Sequence, residues 1–281
     1  MNEKKLLAVV AHPDDESFGM GGTLAHYAQA GVDVHLICAT RGEVGEVSPE
    51  LLEGHTSIGE LREQELCCAA DVLGLKNVHF LDYRDSGMPG SQDNEHPEAL
   101  IQASQDEVAK KISKLIRLIR PQVVLTFDPI GGYMHPDHIA IHQATVLACK
   151  MAGNKKITIQ DLPEFEPKKL YFHIFPRSFL KWMIRFMPLF GKDPSRWGKN
   201  GDINLTSIMA KDFPTHARIN YKNVAKKREQ ASACHKSQGG DKQSGYVITW
   251  ILRLFSSYES YMLAYPAPIQ GYIEKDLFEG I

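Results

Sequence analysis

Two hydrophobic periods alternate along the first half of the chain. Short continuous apolar runs, Leu6–Ala11, Val32–Ala39 (VDVHLICA), Asn77–Asp82 (NVHFLD) and Gln122–Asp128 (QVVLTFD), have the length and β-branched content of buried strands. Helical patterns separate them. One runs through Leu24, Ala25 and Ala28 to a stop at Gly31. A second, Gly59–Leu73, carries Leu61, Leu66, Ala69, Ala70 and Leu73. A third spans Glu98–Arg120, with Val108, Ile112, Leu115, Ile116 and Ile119 on one side and Pro121 at its end, and a fourth covers Pro136–Met151. Strands alternating with helices predict right-handed crossovers and a parallel sheet. The expected class is α/β: a Rossmann-like open, mainly parallel sheet flanked by helices, with C-terminal elaborations.

Past about residue 155 the rhythm changes. Lys169–Phe175 predicts a fifth strand. From Lys168 to Lys199 there are eight Lys/Arg against one acid, Asp193, interleaved with Phe175, Phe179, Trp182, Phe186, Phe190 and Trp197. A basic helix is expected over Tyr221–Lys236, then a polar loop, then apolar Tyr246–Phe255 and Glu259–Ala264. There is no internal repeat, so a single domain over residues 1–281 is expected, with a core over 1–155 and substrate-side elements over 156–281. Within the basic stretch, Ser178–Met187 (SFLKWMIRFM) reads first either as core or as a subunit interface, the second of which would make the chain a homo-oligomer. A lid over a cleft and a membrane-surface contact through residues 178–190 are its other readings.

Composition narrows the class. Hydrophobic residues make up 43% and charged residues 23% of 281, and the formal net charge is −2, so no global positive field would gather nucleic acid. The apolar run near the N-terminus is too short for a signal peptide and is broken at once by His-Pro-Asp-Asp-Glu; no run is long enough to span a bilayer. A cytoplasmic protein is expected. The five cysteines contain no CxxC pair, and Cys38, Cys67, Cys68 and Cys149 fall in apolar or helical segments, so buried reduced thiols are expected rather than thiolate-held zinc.

Chemistry concentrates in two short motifs, each directly after a predicted strand: Ala11-His12-Pro13-Asp14-Asp15-Glu16 and His135-Pro136-Asp137-His138. An open parallel sheet binds ligands beyond the carboxyl ends of its strands where the winding reverses, and the first and fourth strands are the usual neighbours there. Ten positions hold four carboxylates and three histidines, more than a sheet edge requires. Imidazole and carboxylate donors without thiols suit Zn²⁺ or another divalent first-row ion. His12 and Asp15, three apart, can turn to one point and leave Asp14 for acid–base work. Singly, Asp137 or Glu16 could merely cap a helix start. The combination suits hydrolysis of an amide or ester, with a small molecule as partner.

At these residues the sequence resembles the PIG-L/LmbE-like family of metal-dependent de-N-acetylases, which deacetylate N-acetylglucosaminyl conjugates. Both motifs match in full. So do Thr40-Arg41-Gly42-Glu43, Leu61-Arg62-Glu63-Gln64-Glu65, Arg84-Asp85-Ser86-Gly87-Met88 and Ala233-Cys234-His235-Lys236-Ser237-Gln238. The resemblance implies His12, Asp15 and His138 as ligands of zinc (or Fe²⁺) and Asp14 as general base. It implies His135 as general acid or oxyanion partner, with Asp137 orienting it, and Tyr133 at the oxyanion. Arg62, Asp85 and Glu43 would line the substrate, although Arg62 could equally pair with Glu63 or Glu65 on its own helix. The expected reaction is removal of acetyl from an N-acetylglucosaminyl or related small N-acyl substrate. The alternatives are an amidase of thiol-conjugate amides, or a non-catalytic Rossmann-like binding module. Against the module, Gly19, Gly21 and Gly22 lack the GxGxxG spacing and follow an acidic cluster that would repel phosphate.

Overall fold

The structure is a computed structural model that describes residues 3–174, 181, 184–191, 193–196, 204–206, 211, 213–241 and 257–281. Four apolar runs and the strand after them form β1 (Lys5–Val10), β2 (Asp33–Cys38), β3 (Asn77–Phe80), β4 (Val123–Phe127) and β5 (Lys169–Ile174). They alternate with α1 (Gly21–Gln29), α2 (Ile58–Leu73), α3 (Gln105–Ile119) and α4 (Pro136–Gly153), and the C-terminal part adds β6 (Ala217–Asn220), α5 (Ala225–Cys234) and β7 (Tyr258–Tyr265). One seven-stranded sheet runs β3-β2-β1-β4-β5-β7-β6. Its first five strands are parallel, and β7 and β6 close one edge antiparallel.

Every residue of β4 and all but the first of β1 are buried, which is why these strands read as unbroken apolar runs. α1, α2 and α5 pack together as one layer, and α3 packs against α4 as the other. On α3 the buried stripe is Val108, Ile112, Ile116 and Ile119. The C-terminal elements join the same sheet and pin it from behind. Glu259 of β7 accepts from the Gly22 and Thr23 amides at 2.9 and 2.7 Å, placing a carboxylate at the N-terminus of α1. Lys169 Nζ lies 2.7 Å from Glu274 Oε1.

Two expectations change. The helix anticipated over Glu98–Arg120 starts at Gln105, because residues 98–100 are drawn into extended pairing with Arg84: its amide donates to Glu98 O, and its carbonyl accepts from Leu100 N. The thiols are not all reduced and buried. Cys68 of α2 and Cys234 of α5 form a disulfide across 166 positions, and Cys67 is exposed. The pairing needs two helices from opposite ends of the chain laid side by side, which no spacing rule reveals. The run Tyr246–Phe255 and, within 178–190, residues 178–180, 182 and 183 lie outside the described residues. Among the described residues no helix is long and apolar enough to cross a membrane.

Candidate active site

Adjacent parallel strands bring the two motifs together. Leu6 pairs with Val123 and Ala8 with Leu125, so the chain leaves β1 into Ala11–Glu16 beside the point where it leaves β4 toward His135–His138. This is where β2 and β3 diverge to one side of β1 and β4 and β5 to the other.

His12, Asp15 and His138 converge. His12 Nδ1 lies 3.3 Å from His138 Nε2 and 3.6 Å from Asp15 Oδ2, and His138 Nε2 lies 3.2 Å from Asp15 Oδ1. Two imidazole nitrogens and a carboxylate brought together in this way match the spacing of donors sharing a tetrahedral ion, about 3.4 Å apart for bonds of about 2.1 Å. Asp15 is oriented for this by the His12 and Ala11 amides, at 2.8 and 3.3 Å from Oδ2. His138 stacks on Phe127 with ring centroids 3.9 Å apart, and its Nδ1 is buried without a hydrogen-bond partner among the described residues. The donor set therefore fits a divalent cation, and the donor atoms of His135 also lie within 4.8 Å of those of His12 and His138.

The far nitrogen of His12 faces carboxylates. Its Nε2 lies 3.1 Å from Asp137 Oδ2 and 3.4 Å from Asp85 Oδ1, an arrangement that fixes the ring with Nδ1 turned toward the convergence of donors. Burial alone would lower His12, but Asp85, Asp137 and Asp15 outweigh it and hold the imidazole well above its usual range. For Asp15, burial is overcome by His138 and His12, and its carboxyl sits below the ordinary range.

Asp137 does not orient His135 as expected. His135 caps α4, its Nδ1 accepting from the Asp137 amide at 3.2 Å, and the Asp137 side chain then turns to His12 and to the Ser86 amide at 2.9 Å. Burial first, then the neighbouring His12 and His138, push His135 down to about 2, so the ring is neutral and carries its proton on Nε2. Tyr133 stands edge-on to His138 and His135, at 5.0 and 5.8 Å between centroids. Burial and then Asp15 raise its hydroxyl well above 10, so it remains a donor. Gly131 makes this approach feasible: at φ 65° a side chain would be strained, and a Cβ would sit 2.8 Å from that of His138.

Asp14 is not part of the triangle formed by His12, Asp15 and His138. Its backbone adopts φ 125°, ψ −30°, a conformation costing about 1–3 kcal/mol for a non-glycine residue. Arg62 Nη2 donates to Asp14 Oδ2 at 3.1 Å and to Pro13 O at 2.6 Å, and Nη1 donates to Gly42 O at 2.9 Å. A Cβ on Gly42 would collide with this guanidinium at 2.0 Å. Burial raises the Asp14 carboxyl to about 6, with Arg62 the strongest influence in the other direction.

The three residues expected along the substrate make their contacts within the protein. Arg62 is 3% exposed, its Nη1 and Nη2 donating as above and its Nε without a hydrogen-bond partner among the described residues; Glu63 pairs with Arg41 instead, and Glu65 with Ser237. Asp85 faces His12, and Glu43 Oε2 accepts from the Asp85 amide at 3.0 Å. Two participants received no role in the chemistry from the sequence: Glu16, counted among the motif carboxylates and read at most as a helix cap, and His235; both are completely buried. His235 lies in a matched stretch, Ala233–Gln238, that carried no assigned role.

Comparison with known proteins places this geometry in context. A family model described as PIG-L: GlcNAc-PI de-N-acetylase matches residues 7–149, a span holding every site residue named so far except His235. A 1D-myo-inositol 2-acetamido-2-deoxy-alpha-D-glucopyranoside deacetylase of Salinispora arenicola is 36% identical over 99% of this chain and 92% of its own. Among solved structures, N,N'-diacetylchitobiose deacetylase of Pyrococcus horikoshii superposes with a TM-score of 0.63 at 21% identity, over 93% of this chain and 84% of that one. A 4-carboxy-2-hydroxymuconate hydratase of Pseudomonas putida does so with 0.61 at 18% identity, over 95% and 98%. The fold alone thus does not name a reaction.

Proposed function

The chain belongs to the PIG-L family of GlcNAc-PI de-N-acetylases, and from that membership we propose that it hydrolyses the acetamide of an N-acetylglucosaminyl compound to acetate and a free amine. The observation that carries this reading is the convergence of His12, Asp15 and His138 to 3.2–3.6 Å, with the neighbouring carboxylate of Asp14 held by Arg62 and not by these three residues. The nitrogen-and-oxygen donor set favours Zn²⁺, with Fe²⁺ the nearest competitor. When bound by those three residues, such an ion supplies Lewis acidity, making water acidic near neutral pH and polarising an amide carbonyl.

The protein groups supply the rest. Asp14, with its carboxyl near 6, takes a proton from the attacking water as oxygen adds to the carbonyl carbon. Negative charge grows on the carbonyl oxygen, and two neutral donors stand ready for it: the His135 Nε2–H and the Tyr133 hydroxyl. The proton held by Asp14 passes to the amide nitrogen, the C–N bond breaks, and the amine leaves. Asp137 and Asp85 keep His12 in the ring orientation the site needs. The relative's named substrate joins an acetamido sugar to inositol, so a GlcNAc–inositol conjugate is the first candidate.

The test is amine release by zinc-reconstituted protein from GlcNAc–inositol, GlcNAc–malate, free GlcNAc and diacetylchitobiose, with bound metal measured on the same sample. One ion per chain and turnover of a conjugate are expected. Protein that binds no ion and releases no amine from any of the four would refute the assignment.

A further inference from the structure

The carboxylate assigned as base depends on a backbone that an L residue reaches only when its surroundings dictate it. Arg62 holds the Asp14 carboxylate and the carbonyl before it, but not the Asp14 amide. That amide donates to Glu16 Oε2 at 3.0 Å. Glu16 is wholly buried, and its other oxygen, Oε1, accepts from Ser17 Oγ at 2.5 Å and faces His235 Nε2 at 2.7 Å. The His235 Nδ1 has no hydrogen-bond partner among the described residues, so the ring's polar contact there is with Glu16.

His235 arrives from 219 positions away and is fixed on both flanks. Cys234 is bonded to Cys68 of α2. Ser237 donates its amide and hydroxyl to Glu65 of the same helix at 2.7 and 2.6 Å. Helix α2 therefore sends Arg62 to Asp14 directly, and through Glu65 and Cys68 it anchors the segment carrying His235.

We propose that His235, acting through Glu16, is a positioning residue that holds the Asp14 peptide in its strained conformation and so keeps the base on line. The inference rests on the role proposed above for Asp14. Without the histidine, Glu16 keeps only a serine hydroxyl on Oε1, and Asp14 can relax toward an ordinary φ, carrying its carboxylate away. A displacement of about 1 Å suffices to lower turnover about 10²-fold. Asp15 keeps its own anchors on the His12 and Ala11 amides, so ion binding survives.

The experiment compares wild type, His235→Leu and His235→Gln as full-length zinc-loaded proteins, reading kcat, KM, zinc per chain and melting temperature. The Leu side chain fills the space without a donor, whereas the Gln amide can still donate to Glu16. Expected for Leu is a kcat about 10²-fold lower with KM within about twofold and zinc unchanged, and for Gln a recovery of about tenfold or more. Should the Leu variant not fold, His235→Asn, whose amide is too short to reach, replaces it with the same expectation. A donor-less variant with wild-type kcat overturns the inference. So does one that loses kcat, KM and zinc together with no recovery in Gln, since that pattern is purely structural. A wild type inactive on every acetamide refutes the proposed function instead.

Discussion

Arg62 offers a sharp test, because the sequence places it against substrate and the structure places it under Asp14. Replacing it by Met keeps an unbranched stem of similar reach but deletes three hydrogen bonds, to Asp14 Oδ2, Pro13 O and Gly42 O. The guanidinium is 3% exposed, and stripping one partner from such a buried charged contact costs about 3–5 kcal/mol. For 281 residues the unfolding entropy is about 0.6 kcal/mol/K, so the melting temperature should fall by about 5–8 °C. Activity should fall through kcat with KM little changed. Arg62 is also the strongest influence lowering Asp14, so the acidic limb of the rate profile should move to higher pH. Scanning calorimetry and amine-release kinetics on the same zinc-loaded preparations measure all three. A melting temperature within about 1 °C of wild type, with KM raised and kcat intact, would make Arg62 a substrate contact and refute the reasoning.

Other substitutions separate the remaining roles. Ala at His12, Asp15 or His138 should abolish both ion binding and turnover, whereas Asp14→Asn should keep one ion per chain and lose about 10²–10⁴ in kcat, as metal analysis beside kinetics would show. In ion-free protein Asp14 is raised from 3.8 to about 6, so its charging destabilises the fold as pH rises through that window. Asp14→Asn should therefore raise the melting temperature above pH 6 and have no such effect below pH 4; a gain at both pH values would contradict the sign. Reducing Cys68–Cys234, or replacing both by Ala, opens a link across 166 positions and should cost about 2–5 kcal/mol, or about 3–8 °C. Unchanged melting under dithiothreitol, with free thiols counted by mass spectrometry, would refute that figure.

Much was legible beforehand for identifiable reasons. Strands buried on both faces must be apolar throughout, so β1, β2 and β4 announce themselves, and their alternation with helices leaves few topologies. The convergence of His12 and Asp15 with His138 follows from which strands neighbour across the winding reversal. Boundaries were weaker where tertiary pairing competes with local pattern, as at residues 98–104, where a bridge to Arg84 displaces the helix start.

What the chain alone determined is the donor chemistry and its delivery to one sheet edge, since both are written in short motifs next to apolar runs. The partner of each buried polar group was decided only by packing. That Asp137 serves His12 and not His135, that Arg62 braces Asp14, that Cys68 meets Cys234 and that His235 reaches Glu16 all depend on distances between segments 48 to 219 positions apart. Hydrogen bonds and disulfides act over a few ångströms, and no local propensity records which remote side chain the layers will bring within that reach.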